Sequence, residues 1–363
     1  LSKDKRFLSS FSDFVGEETA KKLGAKIFPK NSIFFAKVGA ALLLERIRTN
    51  QQPCCIDNNM MGFVIQNELS FDFAFYLMSL IDFKYLVNPG AVPSINESQI
   101  SSFLISVPPI SEQTQIANYL DTETARIDNL ISKQEKLIEL LEEQRKSIIS
   151  HAVTKGLNPN APMKDSGVEW LGEVPEDWEV KRFGYIFTEN KKKNIGLIET
   201  NVLSLSYGNI KEKNIDDNKG LLPESFETYQ IIEPNDIVFR FTDLQNDKRS
   251  LRNAISKYHG IITSAYIGVK TKENADFYNY LFRAYDLQKV FYSMGDGMRQ
   301  SLKMDELNKM PIVLPKIEAQ ERIVKFINEE NQRINNLVVK QKNLIEKLKE
   351  YRASIISHAV TGK

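Results

Sequence analysis

The sequence predicts an α+β fold: two pseudo-symmetric mixed α/β domains separated by two long helices that pack as an antiparallel coiled coil. Residues 107–154 align without a gap on residues 314–361, and 25 of the 48 aligned positions are identical at a constant offset of 207. Both stretches carry apolar residues at helical spacing, and each follows a segment with strand-like runs. A repeat this long indicates a duplicated unit of domain size, not a solenoid.

The duplication divides the 363 residues into four parts. We predict a first mixed domain at 1–106, a first long helix at 107–156, a second mixed domain at 157–313 and a second long helix at 314–363. In the second mixed domain, about 40 residues precede the segments shared by the two copies, and the first domain has no counterpart to them. We therefore expect the first domain to be abbreviated at its N-terminal side.

The two mixed segments follow the same order of elements. IFPKNSIFF (27–35) resembles IIEPNDIVF (231–239). The other matched pairs are a strand region at 54–65 with 260–269, a helix at 71–86 with 275–292, and NPGAVPSI (88–95) with GDGMRQSL (295–302). In the second segment, strand-like runs lie at 202–208, 236–241 and 260–269.

The long helices carry an apolar stripe that needs a partner helix, and each is the obvious partner of the other. With Ile127 at heptad position a, Ile131 and Ile138 at position e widen the stripe. The predicted seam residues are Ile127, Gln134, Leu137, Leu141, Ile148, Ile334, Gln341, Leu344, Leu348 and Ile355. About 40 helical residues span roughly 60 Å, so we expect the pair to act as a ruler between the two domains.

Two polar pairs in the helices have open interpretations. Gln134 and Gln341 occupy equivalent a positions, where a polar residue either fixes the helix register or extends off the seam into solvent. His151 and His358 also sit in equivalent contexts, and helix-end capping or packing explains them better than a shared metal.

The composition is that of an ordinary globular protein, with 42% hydrophobic and 26% charged residues. There is no run of 18 apolar residues and no signal-peptide pattern, so we expect a cytoplasmic protein without a membrane span. The two cysteines are neighbours, Cys54 and Cys55, and are expected to be reduced. A net charge of +1 neither demands nor excludes DNA as a partner.

The sequence does not contain the motifs of common enzymes. It has no GxxxxGK[ST] loop, no GxGxxG, no HExxH and only three histidines. Asp165 followed by Glu179 and Lys181 resembles the motif of metal-dependent nucleases. This evidence is weak, because the motif requires only three common charged residues at loose spacing. We predict a chain without catalytic residues or a metal site.

Three features together resemble a known family. They are the opening SGVEWLGEVPEDWEVKRFG (166–184), the turn GMRQSL (297–302) and the doubled long helices that end in SIISHAVT. In this combination and order the chain resembles the specificity subunit of Type I restriction-modification systems. The first domain departs from the pattern because it lacks the WLG opening and has Val92 where the second copy has Arg299.

The resemblance implies a non-catalytic subunit that binds double-stranded DNA. Each mixed domain would be a target recognition domain that reads one half of a split sequence, and the helices would set the spacer. Two modification subunits, which carry S-adenosylmethionine and methylate adenine, would dock on the chain. Restriction subunits, which use ATP and Mg, would join that core. The chain itself would hold no cofactor.

DNA reading requires side chains suited to base edges, such as Arg for guanine and Asn or Gln for adenine. In the second domain the candidates are Arg240, Thr242, Gln245, Asn246, Lys248, Arg249, Arg252, Met298, Arg299, Gln300 and Ser301. In the first domain they are Lys37, Asn58, Asn59, Ser94 and Asn96. We expect Arg299→Ala to weaken specific DNA binding by about 1–3 kcal/mol, and unchanged affinity would contradict this assignment.

Two other functions remain open from the sequence alone. One is an interaction scaffold, with two globular modules on a coiled coil and protein partners only. The other is a nuclease that uses the Asp165, Glu179 and Lys181 string. DNA affinity that falls steeply with salt would distinguish a DNA-binding subunit from the scaffold. Metal-dependent cleavage that is lost in Glu179→Ala would support the nuclease.

Overall fold

A computed structural model describes most of the chain and divides it into two units. The described residues are 6–8, 14–44, 46–66, 68–87, 92–102, 104–214, 225–242, 251–292, 294 and 301–363. Unit 1 comprises Leu1–Lys136 together with Gln341–Lys363, and unit 2 comprises Leu137–Lys340. Each unit therefore contains one mixed module and a part of both long helices, whereas the predicted boundaries treated each helix as a separate segment.

Unit 1 is built on a three-stranded antiparallel sheet. Its elements are α1 (Glu17–Lys22), β1 (Ile33–Ala36), β2 (Arg48–Thr49), β3 (Met60–Phe63), α2 (Phe71–Met78), α3 (Glu97–Ser101) and the first part of α4 (Ile110–Lys155). The strands lie in the order β2-β1-β3. Behind the sheet, Phe35 stacks on Phe83 with ring centroids 4.5 Å apart, within a buried apolar core.

Unit 2 contains the remaining part of α4 and a larger mixed module. Its elements are β4 (Met163–Asp165), β5 (Glu173–Pro175), β6 (Glu179–Arg182), α5 (Phe183–Ile186), β7 (Phe187–Glu189), β8 (Leu203–Ser206), β9 (Asn209–Glu212), β10 (Gln230–Ile232), β11 (Ile237–Phe239), β12 (Asn253–Ile255), β13 (Gly260–Ile262), β14 (Ile267–Thr271), α6 (Ala275–Leu287), α7 (Met304–Leu307), β15 (Pro311–Leu314) and α8 (Ile317–Thr361). The main sheet has the order β12-β11-β14-β7.

The same sheet core recurs in the two units. In unit 1 β1 pairs with β2 on one side and β3 on the other, and in unit 2 β11 pairs likewise with β12 and β14. Asn31 and Asn235, just before the central strands, both have left-handed backbones with φ of 64° and 73°. Asn tolerates this conformation better than most residues. The predicted match between 27–35 and 231–239 is confirmed.

The core of unit 2 is rich in aromatic side chains. Phe183 stacks on Phe187 with centroids 4.4 Å apart, and Phe282 lies against both rings. Trp178, from the opening motif of the second domain, is buried and meets Phe277 edge to face. The predicted strand run at 260–269 is divided into β13 and β14, because Tyr266 N donates to the Thr263 carbonyl and closes a turn between them.

The two long helices are nearly equal in length. α4 has 46 residues and α8 has 45. Each spans nearly 70 Å at about 1.5 Å per residue. The first half of α4 packs with the second half of α8 in unit 1, and the second half of α4 packs with the first half of α8 in unit 2. The helices are therefore antiparallel, as predicted.

A pair of interhelical contacts shows that the packing repeats. In unit 1 Arg352 Nε donates to Asp128 Oδ1 at 2.9 Å, and in unit 2 Arg145 Nη2 donates to Asn335 Oδ1 at 2.7 Å. The offset of 207 converts Asp128 into Asn335 and Arg145 into Arg352. The same contact is thus made once in each unit, with a carboxylate in one and an amide in the other.

The seam differs from the predicted register in its second column. Ile127, Leu141, Ile334 and Ile355 are buried as expected. The remaining a-position residues, which are Gln134, Ile148, Gln341 and Leu348, are half-buried. Leu137 and Leu344, however, are 38% and 41% exposed, whereas Ile345 is only 6% exposed. The second apolar column lies one residue further along, at the position of Ile131, Ile138 and Ile345, so Leu137 and Leu344 flank the seam.

Candidate nucleic-acid interface

Three predicted DNA-reading residues of unit 1 meet at the end of β1. The Lys37 N–H donates to the Asn59 carbonyl at 2.8 Å, and the Lys37 carbonyl accepts from Ile95 N at 2.9 Å. The next residue, Val38, pairs with Ser94 in an isolated bridge. Lys37, Asn59 and Ser94 therefore lie side by side, although more than 50 residues separate the first from the last. Backbone pairing at the end of the central strand therefore places these three polar residues next to one another.

The other two candidates in unit 1 have different settings. Asn58 is exposed in the turn before β3. Asn96 is the N-cap of α3, where its Oδ1 accepts from Gln99 N at 3.0 Å and from Ser98 Oγ at 2.7 Å. An N-cap side chain satisfies backbone donors that the helix leaves open. Asn96 is thus engaged in capping, which the sequence-based assignment did not anticipate.

Two of the described candidates of unit 2 lie at the end of β11. The Arg240 N–H donates to the Arg252 carbonyl at 2.8 Å, and both Arg240 and Thr242 are half-buried. Ser301 is exposed and lies shortly before α7. The remaining candidates lie outside the described residues: Gln245, Asn246, Lys248, Arg249, Met298, Arg299 and Gln300.

Arg252 is fully buried, unlike the exposed reader that the sequence suggested. Its Nη1 donates to the Thr242 carbonyl at 3.3 Å, and its guanidinium lies 5.5 Å from the ring centroid of Tyr292. Its backbone N–H donates to Asp286 Oδ2 at 3.1 Å. These contacts hold the backbone on both sides of the segment between residues 242 and 252. The side chain supports the end of β11 from inside the module.

A buried carboxylate fixes the start of β11. Asp236 Oδ2 accepts from Asn190 Nδ2 and from Glu233 N, both at 3.0 Å, and Lys270 Nζ lies 2.6 Å from Glu233 Oε2. Burial raises the pKa of Asp236 above its ordinary value. The Lys270 hydrogen bond lowers the pKa of Glu233. The network ties β11 to the turn before it and to β14.

A buried glutamine fastens each module to its long helix. In unit 1 Gln113 Oε1 accepts from Ser70 N at 2.7 Å, while its Nε2 donates to the Pro108 carbonyl at 2.8 Å. In unit 2 Gln320 Oε1 accepts from Asn274 N at 3.0 Å, while its Nε2 donates to the Pro315 carbonyl at 2.8 Å. Ser70 and Asn274 are the N-caps of α2 and α6.

A tyrosine makes the second fastening. Tyr76 OH donates to Asp121 Oδ1 at 2.6 Å and lies 3.2 Å from Thr124 Oγ1. Tyr280 OH donates to Asn328 Oδ1 at 2.8 Å and accepts from Asn331 Nδ2 at 3.5 Å. The offset of 207 relates both helix partners of the two tyrosines. These roles were not predicted from the sequence, although the identity of each Gln and Tyr between the copies was a usable signal.

The first unit has an additional clamp on its tyrosine contact. Arg6 Nη1 donates to Asp121 Oδ1 at 2.9 Å, and its Nη2 also binds Asp72. The guanidinium lies 4.4 Å from the ring centroid of Phe75. In unit 2 the position of Asp121 is taken by Asn328, which carries no charge for such a clamp.

The residues of the nuclease-like string do not form a metal-binding group. Glu179 and Lys181 lie on β6 and form an ion pair of 2.7 Å, which lowers the pKa of Glu179. Among the described residues there is no group of three or more His, Cys, Asp or Glu side chains suited to a metal ion. No helix within the described part of the chain is long and apolar enough to cross a membrane.

Comparison with known proteins gives consistent matches. Residues 6–140 match the family "Type I restriction modification DNA specificity domain". The chain is 28% identical over 290 residues to the putative type I restriction enzyme MjaX specificity subunit of Methanocaldococcus jannaschii, covering 77% of this chain and 64% of that protein. It is 30% identical over 128 residues to the MjaVIII specificity subunit of the same organism, covering 34% of this chain and 28% of the relative. The chain thus spans less than two thirds of the length of these relatives.

Two solved structures share the fold. The HsdS subunit from Thermoanaerobacter tengcongensis superposes with a TM-score of 0.53 at 15% identity, covering 93% of this chain and 82% of that one. A chain from a structural study of complex assembly and conformational transition of the type I R-M system gives a TM-score of 0.67 at 14% identity, with 93% and 83% coverage.

Proposed function

We propose that this chain is a specificity subunit of the Type I restriction-modification family, which its matched relatives represent, and that it reads a bipartite DNA target with its two mixed modules. The single observation that carries the proposal is the repeated sheet core, with candidate reading residues placed where the central strand ends in both units. In this proposal the chain is a non-catalytic recognition subunit that works in the cytoplasm.

Within each module, we assign reading to the residues at the strand end. In unit 1 these are Lys37, Asn59 and Ser94, with Asn58 beside them. In unit 2 they are Arg240 and Thr242, with Arg252 as the internal support. Lysine and arginine contacts to phosphates position a protein on DNA, whereas amide and guanidinium contacts to base edges specify sequence. Unit 1 offers Lys37 for phosphates and the amide of Asn59 for bases, and in unit 2 the guanidinium of Arg240 is suited to either.

Two modification subunits are the proposed partners of the long helices. Leu137 in unit 2 and Leu344 in unit 1 are equivalent residues, and both expose their apolar side chains beside the seam. Single exposed apolar residues are ordinary on a protein surface, so the support for a partner comes from their recurrence at the same position in both units. Their repetition supports two copies of one partner, each contacting one unit. We assign S-adenosylmethionine to these subunits, and ATP with Mg to restriction subunits that join the complex.

The decisive experiment is methylation mapping with the assembled complex. The full chain would be reconstituted with its modification subunit, and methylated adenines would be mapped on genomic DNA by single-molecule sequencing. We expect a split motif, with two short specific halves separated by a gap of fixed length. A complex that assembles and binds S-adenosylmethionine but methylates no defined motif would contradict the proposal.

A salt titration separates this function from a scaffold without DNA. Neutralising phosphates releases counterions, so the affinity for duplex DNA should fall steeply between about 50 and 200 mM salt. The complex and the modification subunit alone would be compared by fluorescence anisotropy. An affinity that does not depend on this chain would favour the scaffold.

A further inference from the structure

An exposed tyrosine occupies an unfavourable backbone position at the tip of a hairpin in unit 2. β8 and β9 pair from Leu203↔Glu212 to Ser206↔Asn209, so the connection has only two residues, Tyr207 and Gly208. Both have left-handed backbones, with φ of 48° and 70°. Turns of this kind prefer Asn-Gly, because a side chain with a bulky Cβ substituent is strained there. Tyr207 is nevertheless 70% exposed, so burial does not compensate for the strain.

Contacts from α6, from Asn209 and from Leu251 hold the hairpin tip in place. Arg283 on α6 donates from Nη2 to the Gly208 carbonyl, and burial lowers the pKa of this arginine. Asn209 Nδ2 donates to the Tyr207 carbonyl at 3.1 Å. Leu251 packs so closely on Gly208 that an added Cβ would lie 2.7 Å from the Leu251 Cβ. A largely buried guanidinium and a glycine are thus both used to keep the turn in place.

The tip lies next to the proposed reading edge. Leu251 directly precedes Arg252, whose carbonyl accepts from the Arg240 N–H. β9 also lies against β12, the strand that follows Arg252. A continuous series of contacts therefore links Gly208 through Leu251 and Arg252 to Arg240. Tyr207 is therefore an exposed residue on a turn whose support is connected to residues assigned to DNA.

We propose that Tyr207 is a DNA-contacting residue of unit 2, whose ring lies against the sugar or base edge of the duplex next to the bases read from the β11 edge. This inference rests on the proposed function. A tyrosine combines a flat apolar face with a hydroxyl, and it loses little conformational entropy on binding. Strain retained at an exposed position is often associated with a functional site. DNA contact explains why the turn keeps a tyrosine in place of the favoured asparagine.

The test replaces Tyr207 with the residue that the turn prefers. Tyr207→Asn removes the ring and relieves the backbone strain, so the protein should melt at the same or a higher temperature. Binding of the complex with its modification subunits would be measured on a fluorescein-labelled 40-base-pair duplex that carries the split motif from the methylation map. We expect a 5- to 50-fold loss of affinity. Tyr185→Asn is the matched control, because Tyr185 is 74% exposed in the same unit.

The outcomes separate this inference from the proposed function. If the unmodified complex finds no motif and binds no duplex, the proposed function fails and the inference fails with it. If that complex binds the duplex and Tyr207→Asn stays within twofold of it, only the inference is overturned. An equal loss in Tyr185→Asn, or a loss of subunit assembly in a sedimentation experiment, would also overturn it. Tyr207→Gly, which relieves the same strain, replaces the asparagine variant if that variant does not fold.

Discussion

The buried glutamines Gln113 and Gln320 show how single residues determine the seating of each module. Each side chain accepts a hydrogen bond from an N-cap amide and donates to the carbonyl of a proline before the long helix. A buried polar group that loses its partner costs about 1–3 kcal/mol, because it has already given up its contact with water. The glutamine therefore couples the start of one helix to the start of another.

Replacing Gln113 with leucine should loosen α2 on α4. The variant keeps a similar volume but leaves Ser70 N without its acceptor, and we expect a loss of about 2–3 kcal/mol in unfolding free energy. Hydrogen exchange at the amides of residues 70–78 would measure the loss locally. Gln115→Leu on the exposed face of the same helix should change this exchange little, and equal effects would contradict the assignment. Gln320→Leu should produce the corresponding loss at α6.

The hydroxyl of Tyr76 should make unit 1 sensitive to alkaline pH. Burial, together with the hydrogen bond to Asp121, raises the pKa of Tyr76 to about 12. Because the ordinary tyrosine pKa is about 10, this contribution to stability is complete below pH 10 and is lost as the pH rises towards 12. Tyr76→Phe should be less stable at pH 7 by about 1 kcal/mol and should lose less stability across that window. Chemical denaturation at several pH values would measure both effects, and parallel pH curves would contradict the assignment.

The sequence suggested candidate DNA-reading residues by their chemistry but did not predict their settings in the fold. Lys37, Asn59 and Ser94 were chosen for their chemistry, and pairing of the strands brings them together. Asn96 and Arg252 have equally suitable chemistry but serve as a helix cap and an internal support. Whether a side chain caps a helix or is buried depends on which backbone groups lie near it in the folded chain. The type of residue alone does not predict this.

At the level of the helices, too, the sequence predicted the type of packing but not which residue of an adjacent pair is buried. The column of Ile127 was predicted correctly, but apolar residues occupy both the third and the fourth position after Ile127, Gln134, Ile334 and Gln341. Leu344 and Ile345 are one such adjacent pair. Either residue completes an apolar stripe, and only the groove of the facing helix decides between them. The lengths of both helices were predictable, because a long stretch without Pro or Gly has few alternatives.

Truncation of the two neighbours should separate the seam from its flank. Ile345→Ala removes a buried side chain and should cost about 2–4 kcal/mol of unfolding free energy. Leu344→Ala removes a side chain that is 41% exposed beside the seam and should cost less, about 1 kcal/mol, in the isolated chain. Urea denaturation would measure the unfolding free energy of both variants. If Leu344→Ala were the more damaging variant, the seam register described here would be wrong.

At the scale of the whole molecule, the chain is two copies of one design with selected differences. The sheet core, both fastening residues and the interhelical arginine recur, whereas Asp128 becomes Asn335 and Asp121 becomes Asn328. The order of elements and the antiparallel packing of the two long helices were predicted from the repeat in the sequence. The clamp of Arg6 did not, because it joins residues more than 60 positions apart in unit 1 alone.

Variants in the two modules should alter different halves of the DNA motif. Asn59→Ala should relax the sequence preference in one half, and Arg240→Ala should relax it in the other, each by about 1–3 kcal/mol. Methylation maps of the two complexes would show this directly. Lys22→Ala, an exposed lysine on α1, is the control and should leave both halves intact. A variant that degrades both halves equally would contradict separate reading.

The repeated glutamine and tyrosine fastenings have a consequence for inheritance. Both modules sit on helix faces with the same attachment points, so the gene segment for a module could move to the other half, or arrive from a related gene, and find a matching seat. Crossing over within the two similar helix-coding stretches would leave the seam intact. New target sequences would then arise by exchange of whole modules, without a series of intermediates that fold poorly.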